Sequence, residues 1–288
     1  IISFLKNSMD KIGKLVQKIK GKKNLGISDE YVIKILEKYL EEKESKELFA
    51  QDHKKIIKNK KFKELVKEIR KDLYKNYGVF QVKRQWKKDE LLDELKKAKN
   101  LDAIKKISRE ILKLHASSRE RLNNYENIYN QIFEITENPK TILDLASGLN
   151  PCSIILTEFK GNYSSYELSN SDVQFLNKYF KVIKKYNING KDFVKDVTKE
   201  FNYGKADLCF LFKFLDLIDN KKAFFKNLIQ NLNCKYLIVS FSKKTISLKE
   251  MKKPERKWFV RLLENLNLKY KRFDTENEIF YIIKLKFS

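Results

Sequence analysis

Three acidic side chains and one glycine have the spacing of a nucleoside-binding site. Asp144 lies at the end of the apolar run "TILDL", and Gly148 follows in the loop "ASGLNP". Glu167 comes about twenty residues later, where a carboxylate can accept hydrogen bonds from both hydroxyls of a ribose. Asp196, in "GKDFVKDV", can accept a hydrogen bond from the exocyclic amine of an adenine. This spacing predicts a cofactor that contains a nucleoside.

The elements that must position these residues form an α/β domain with a mostly parallel, seven-stranded, Rossmann-like sheet. Short apolar runs alternate with amphipathic helices, and a third strand is expected to end near Asp196. The other predicted strands are 141–145, 162–168, 206–212, 236–241, 269–274 and 278–285. Only "TEN" separates the last two, which predicts a hairpin and an antiparallel final strand. That ending is typical of methyltransferase sheets rather than of dinucleotide dehydrogenases.

The loop after the first strand carries a single glycine, Gly148, and Pro151 can occupy the first turn of the next helix. Cofactors with a pyrophosphate, such as NAD, need several glycines so that backbone amides can approach the phosphates. S-Adenosylmethionine (SAM) has no phosphate. A loop with Ala146 and Asn150 at positions where glycines often stand therefore favours SAM over NAD.

The composition predicts a polyanionic partner. The chain of 288 residues has 62 basic and 38 acidic residues, a net charge of +24. Neutralising phosphates releases counterions and drives nucleic-acid binding. An AT-rich genome would also enrich lysine, but it would enrich glutamate as well, and the acidic residues are far fewer than the basic ones. We expect a helical, basic RNA- or ribosome-docking domain over residues 1–138 and a SAM-dependent methyltransferase domain over 139–288.

Cysteine and histidine usage predicts no metal site. The three cysteines form no CxxC pair and the two histidines, His53 and His115, lie far apart. Cys209 and Cys234 fall inside apolar runs, where a free thiol is usually a core residue. No apolar run approaches the roughly 18 residues of a membrane span. We expect a soluble, cytoplasmic monomer with no membrane partner.

Several motifs together resemble a known family. "LHASSRERL" (114–122), "ILDLASGLNP", "CFLFKFLDLID", "LIVSF" and "NEIFYII" occur in the order found in the Arm/Rmt group of 16S rRNA guanine-N7 methyltransferases, which confer aminoglycoside resistance. The chain resembles a divergent, FmrO-like member, with Asp216 where the family commonly has proline and a divergent loop over 242–250. The resemblance implies SAM-dependent methylation of a guanine N7 in the decoding region of 16S rRNA within the 30S subunit.

The resemblance also implies individual roles. Lys213 would lie near the methyl group and the incoming base. Contacts to SAM would come from His115, Ser118, Arg121, Asp144, Ala146, Ser147, Gly148, Glu167, Leu168, Asp196, Val197 and Phe212. Guanine N7 has a lone pair and no proton, so no general base is expected and Lys213 would position a phosphate or purine O6.

Basic segments and one tryptophan are the candidates for RNA contacts. They are Lys54, Lys55, Lys60, Lys61, Lys63, Lys83, Arg84, Lys87, Lys88, Lys243, Lys244 and Trp258. A solvated helix face would explain single lysines equally well, and core packing would explain Trp258. Two alternative functions remain open at this point. One is a SAM-dependent enzyme for another RNA, such as tRNA or a different rRNA base, and the other is a non-catalytic RNA- or ribosome-binding protein with a degenerate SAM site.

Overall fold

A computed structural model of the protein describes residues 9–21, 29–42, 53–73, 85–245, 249–252 and 254–285. Packing divides the chain into two compact units, of which the first ends at residue 81 and also includes Leu168–Ser171. The second comprises residues 82–167 and 172–288. The packing boundary thus lies between residues 81 and 82, whereas the change from helices to alternating strands comes near residue 138.

Amphipathic helices build the first unit. They are α1 (Met9–Lys20), α2 (Asp29–Glu42), α3 (His53–Lys58) and α4 (Lys60–Leu73). Their buried faces meet in one core through Leu15, Val16, Ile19, Val32, Leu36, Ile56, Phe62, Leu65, Val66 and Ile69. Asn59 separates α3 from α4, because its side-chain Oδ1 accepts a hydrogen bond from the Lys61 amide at 2.8 Å and so caps the new helix. The lysines of α3 and α4 whose side chains are described all face solvent.

A seven-stranded sheet forms the centre of the second unit. Its strands are β1 (Thr141–Leu145), β2 (Gly161–Glu167), β3 (Ile188–Val194), β4 (Lys205–Phe212), β5 (Asn233–Ser242), β6 (Tyr270–Asp274) and β7 (Glu278–Lys284). The strand order is β3-β2-β1-β4-β5-β7-β6. Strands β1 to β5 pair in parallel, and β7 pairs antiparallel with both β5 and β6. This topology confirms the predicted methyltransferase-type sheet and its terminal hairpin.

Helices cover both faces of the sheet. They are α5 (Gln85–Lys97), α6 (Leu101–Leu112), α7 (Ala116–Arg121), α8 (Tyr125–Ile135), α9 (Asn170–Ile183), α10 (Lys221–Asn231) and α11 (Lys257–Asn265). Buried side chains of α5, α6, α8 and α9 share a core with one face, and those of α10 and α11 share a core with the other. The three cysteines are buried and free, and Cys209 and Cys234 are core residues, as predicted. The carboxyl ends of β1, β2 and β4 lie side by side, because these strands are neighbours in the sheet.

Candidate active site

The loop after β1 is held by the carboxylate at the end of β2. Ala146 and Gly148 both have a positive φ of 53°, which turns the backbone sharply after the strand. The Gly148 amide donates a hydrogen bond of 2.8 Å to Glu167 Oε2, and the Ser147 amide donates to the Tyr166 carbonyl at 3.2 Å. Glu167 is the last residue of β2, one residue before the predicted end of that strand. The loop therefore folds back onto the neighbouring strand and fixes the position of that carboxylate.

Asp144 supports the loop from inside the protein. Its Oδ2 accepts hydrogen bonds from Asn150 Nδ2 at 2.9 Å and from the Tyr163 hydroxyl at 2.7 Å. Asn150 Oδ1 in turn accepts from the Tyr125 hydroxyl at 3.1 Å. Burial raises the pKa of Asp144 to about 6. Asp144 is thus a residue that organises the loop, and Asn150 extends the network to α8.

Arg121, the last residue of α7, forms a buried ion pair with the first residue of β7. Its Nε lies 2.6 Å from Glu278 Oε2, and the two side chains are 2% and 0% exposed. The guanidinium also lies over the Phe212 ring, 4.9 Å from its centroid, and Nη1 donates to Asn150 Oδ1 at 3.3 Å. Burial acts to lower the pKa of Arg121, but the interactions with Glu278 and Tyr125 together outweigh it and the pKa is raised. Among the described residues, the buried Nη2 has no hydrogen-bond partner.

Lys213 follows the last residue of β4 and has a left-handed backbone, with φ at 54°. Its amide donates to the Ser240 carbonyl at 3.0 Å, which ties this unusual conformation to β5. The side chain is only 8% exposed; its ammonium contacts the Glu120 carboxylate and lies 3.7 Å from Glu278 Oε1. Lys213 therefore stands in a network of alternating charges at the carboxyl edge of the sheet.

His115 precedes α7 and packs against the loop glycine. A β-carbon at Gly148 would lie 3.0 Å from both Cε1 and Nε2 of the imidazole. Nδ1 lies 3.2 Å from the Ser117 hydroxyl. Burial lowers the pKa of His115 to about 4, so the ring is neutral at physiological pH. Close packing with His115 is the local reason for a glycine at position 148.

A family profile described as "Ribosomal RNA methyltransferase (FmrO)" matches residues 53–282, most of the chain. The chain belongs to this family. Two curated relatives are named 16S rRNA (guanine(1405)-N(7))-methyltransferase. The protein from Proteus mirabilis is 28% identical over 189 residues, 63% of this chain and 62% of the relative. The protein from Micromonospora rosea is 23% identical over 195 residues, 67% of this chain and 71% of the relative. The alignment with the Proteus protein thus spans less than two thirds of that protein's length.

Solved structures share the fold of this family member. The 16S rRNA methyltransferase RmtF, in complex with S-adenosyl-L-homocysteine, superposes with a TM-score of 0.71 over 96% of this chain and 98% of its own, at 20% identity. The 16S rRNA methylase RmtB gives a TM-score of 0.66 with the same coverage and identity. Because these likenesses extend over 96% of the chain, the helices before β1 belong to the shared fold as well.

The remaining predicted cofactor residues lie on α7, in the first loop, and shortly after β2 and β3. Ser118 is buried on α7, Ala146 is partly buried in the first loop, and Leu168 directly follows Glu167 in the chain. Asp196 comes two residues after β3, where its Oδ1 accepts hydrogen bonds from the amide and hydroxyl of Thr198 at 3.0 and 2.6 Å. The Val197 carbonyl accepts from the Tyr203 hydroxyl at 3.2 Å. Their contacts with a cofactor stay predictions.

The predicted RNA-contacting residues fall into three groups. The first is exposed on α3 and α4: Lys54, Lys55, Lys60, Lys61 and Lys63. Lys83 and Arg84 lie outside the described residues. The third group comprises lysines that are partly buried or paired with an acid. Lys87 is partly buried, Lys243 Nζ lies 3.1 Å from Asp274 Oδ2, and Lys244 Nζ lies 3.2 Å from Glu276 Oε1.

Lys88 requires a correction. Its side chain is 8% exposed and pairs with Asp172, which is itself buried, so its ammonium is not available to a phosphate. Trp258 is partly buried and packs edge-on against Phe241 and Phe259 with ring centroids 6.0 and 5.5 Å away. These contacts agree with the core-packing alternative, and stacking of Trp258 on a base stays a prediction.

Two residues of the site, Glu120 and Glu278, were not singled out from the sequence, and Asn150 was noted only as a loop position where glycine often stands. Asn150 and Glu278 lie within "GLNP" and "NEIFYII", and Glu120 precedes Arg121 in "SSRER". A charged residue that opens an otherwise apolar strand, as Glu278 does, is the signal that could have identified one of them. Among the described residues, no His, Cys, Asp and Glu cluster could hold a metal ion, and no helix is long and apolar enough to cross a membrane.

Proposed function

We propose that the protein is a SAM-dependent methyltransferase that modifies guanine N7 in the decoding region of 16S rRNA within the 30S subunit. The observation that carries the proposal is the buried Arg121 guanidinium, aligned by Glu278 at 2.6 Å, with an Nη2 that has no hydrogen-bond partner among the described residues. Membership of a ribosomal RNA methyltransferase family supports the reaction class, and the names of the two curated relatives support the target atom.

The residues around the first loop fit SAM. A buried arginine with an unpaired donor suits the carboxylate of an amino acid, because carboxylate and guanidinium form strong charge-assisted hydrogen bonds. Ser147 Oγ is a second buried polar atom without a partner in the described part of the chain. Glu167 and Asp196 would bind the ribose hydroxyls and the adenine amine, respectively. When bound, SAM supplies a methyl group on a positively charged sulfur, which guanine N7 accepts with its lone pair as the C–S electrons return to sulfur.

The chemistry expected of N7 suits the side chains at the end of β4. Since N7 carries no proton, the protein needs no general base, and its contribution is to hold the base and the cofactor in line. Lys213 is well fixed for this purpose, because β5 holds its backbone and Glu120 holds its ammonium. We propose that Lys213 positions the target base through purine O6.

The exposed lysines of α3 and α4 suit RNA docking. Lys54, Lys55, Lys60, Lys61 and Lys63 are exposed, while the apolar residues between them face the core of the first unit. Lysines in this arrangement can follow a phosphate backbone without reading its sequence. We propose that these two helices, within the predicted docking domain 1–138, contact the 30S subunit.

Labelled-methyl transfer tests the function directly. The protein is incubated with labelled SAM and with purified 30S subunits, naked 16S rRNA or tRNA. Reduction and aniline cleavage then map 7-methylguanine. We expect methylation of one guanine in 30S subunits. Transfer to tRNA but not to 30S would establish the alternative of another RNA target. Absence of SAM binding by calorimetry would establish a non-catalytic RNA-binding protein.

Two sets of variants separate the cofactor site from the docking surface. Asp196→Ala is expected to weaken SAM binding roughly tenfold, since it removes a hydrogen bond to the adenine amine. Lys60→Gln with Lys61→Gln is expected to weaken 30S binding and to reduce its salt dependence, with SAM affinity unchanged. Lys222→Gln, an exposed lysine on α10, is the matched control. If the Lys60 and Lys61 changes reduced only SAM affinity, the docking assignment would be wrong.

A further inference from the structure

Glu120 and Lys213 form a contacting pair of opposite charge at the carboxyl end of β4. Lys213 is 8% exposed and Glu120 is 26% exposed, so the carboxylate is the more accessible of the two. The Glu120 main chain is fixed as well, because Asn277 Nδ2 donates to its carbonyl at 3.2 Å. Three elements, α7, β4 and the start of β7, thus converge on this pair.

The charges around the pair differ in how far they are already compensated. Glu278 has Arg121 at 2.6 Å and accepts a hydrogen bond from the Ser240 hydroxyl at 3.0 Å. Its distance of 3.7 Å from Lys213 is longer than a hydrogen bond. Glu278 therefore belongs mainly to Arg121, and Glu120 is the residue that compensates the charge of Lys213. The Glu120–Lys213 pair is close to neutral as a unit.

A neutral ammonium–carboxylate pair matches the functional groups of guanine. Guanine presents O6 as an acceptor, and the neighbouring N1 carries a proton that it can donate. An ammonium bound to O6 would bring a carboxylate beside it to N1–H. Adenine has an amine in place of O6 and an acceptor at N1, so both contacts would be lost. N7 remains unobstructed in this arrangement, as methyl transfer to it requires.

The pair also resolves an electrostatic conflict at the target base. Methylation of N7 leaves the purine positively charged, and a lone ammonium at Lys213 would oppose that charge as it develops. A carboxylate that accepts the N1–H hydrogen bond interacts more strongly as the ring becomes positive. Interactions that strengthen in the transition state increase the rate rather than the affinity. We infer that Glu120 is a specificity-determining residue that pairs with Lys213 to recognise guanine and to stabilise the charge that develops on its ring.

This inference rests on the proposed guanine-N7 activity, and single-turnover kinetics on 30S subunits test it. Glu120→Gln is compared with wild type at saturating SAM and saturating 30S. The rate is expected to fall on the order of 10- to 100-fold, with SAM and 30S affinities little changed. Glu126→Gln is the matched control, since Glu126 pairs with Arg109 at an exposed position on α8. Its rate should equal that of wild type.

The double variant Glu120→Gln with Lys213→Met gives a readout that a purely structural role would not give. It also removes the ammonium and is compared with both single variants. Because each single change breaks the same two-contact recognition of guanine, the double variant should be no slower than the slower single variant. Single rate losses that multiply in the double variant would overturn the inference, as would an unchanged rate for Glu120→Gln. Loss of SAM binding in Glu120→Gln would overturn it too, in favour of a role in folding. If wild type forms no 7-methylguanine in 30S subunits, the proposed function itself fails.

Discussion

Glu278→Gln is the substitution that most directly tests how the site is held together. Glu278 and Arg121 are 0% and 2% exposed and are joined at 2.6 Å. Removing one partner of a buried ion pair leaves an uncompensated charge and typically costs about 3–5 kcal/mol of unfolding free energy. Glutamine keeps a carbonyl acceptor, and Arg121 keeps Asn150 Oδ1 at 3.3 Å and the Phe212 ring. We therefore expect the lower end of the range, about 3 kcal/mol.

The reverse substitution should be less harmful. In Arg121→Met, Glu278 retains the Ser240 hydroxyl at 3.0 Å and the Lys213 ammonium at 3.7 Å, so its charge remains partly compensated. We expect a cost of about 2 kcal/mol, because a hydrogen-bonded charge with a second partner is not left isolated. The double variant should be more stable than the sum of the single effects predicts, with a coupling energy of about 2 kcal/mol.

Urea unfolding followed by circular dichroism measures these differences from the shifts in midpoint. Glu126→Gln again serves as the control, because its partner Arg109 is exposed and the loss should stay below about 1 kcal/mol. Three results would refute the reasoning. They are a Glu278→Gln cost no larger than the control, a larger cost for Arg121→Met than for Glu278→Gln, and single effects that add within about 0.5 kcal/mol.

Two further predictions concern packing and pH. A β-carbon at Gly190 would lie 1.8 Å from Phe180 Cδ1, so Gly190→Ala should cost about 1–3 kcal/mol in urea unfolding, and adding Phe180→Leu should recover part of it. The pKa of His115 is lowered from 6.5 to about 4, so its contribution to stability is complete above pH 6.5 and is lost as the pH falls through 4. The contribution of His115 to the free energy of unfolding is about 3 kcal/mol. His115→Asn should therefore lose less stability than wild type between pH 6.5 and 4, and parallel pH curves for the two proteins would contradict the assignment. The raised pKa of Asp144, about 6, makes stability fall as the pH rises. Asp144 is present in wild type and in the variant, so its effect cancels in the comparison.

The sheet could be predicted from the sequence because its strands are short apolar runs bounded by polar turns. Predicted and observed strand ends differ by three residues at most, and the antiparallel β7 follows from the short "TEN" connection. Asp144, Gly148 and Glu167 could be predicted for a related reason. They belong to consecutive elements whose order along the chain fixes their neighbourhood in a parallel sheet.

The partners of the charged residues could not be predicted in the same way. Arg121 and Glu278 are separated by 157 positions, and Lys213 and Glu120 by 93. Local patterns carry no information about which strand a charged side chain will meet at such separations. Lys88 shows how a local pattern can also give a wrong prediction. It occurs in a run of basic residues that is typical of a solvated face, but α5 buries that position and α9 provides Asp172 as a partner.

The single glycine of the first loop has a different purpose from the glycines of a phosphate-binding loop. A phosphate-binding loop keeps its amides unpaired so that they can point at the anion. In this protein the Gly148 amide already donates to Glu167 Oε2, and a phosphate at that position would meet a carboxylate. The missing side chain is needed instead for the imidazole of His115, and Ala146 reaches its positive φ without being glycine. A loop that pairs its own amide with an acid, beside a buried arginine with an unpaired donor, suits a cofactor that brings hydroxyls and a carboxylate rather than phosphates.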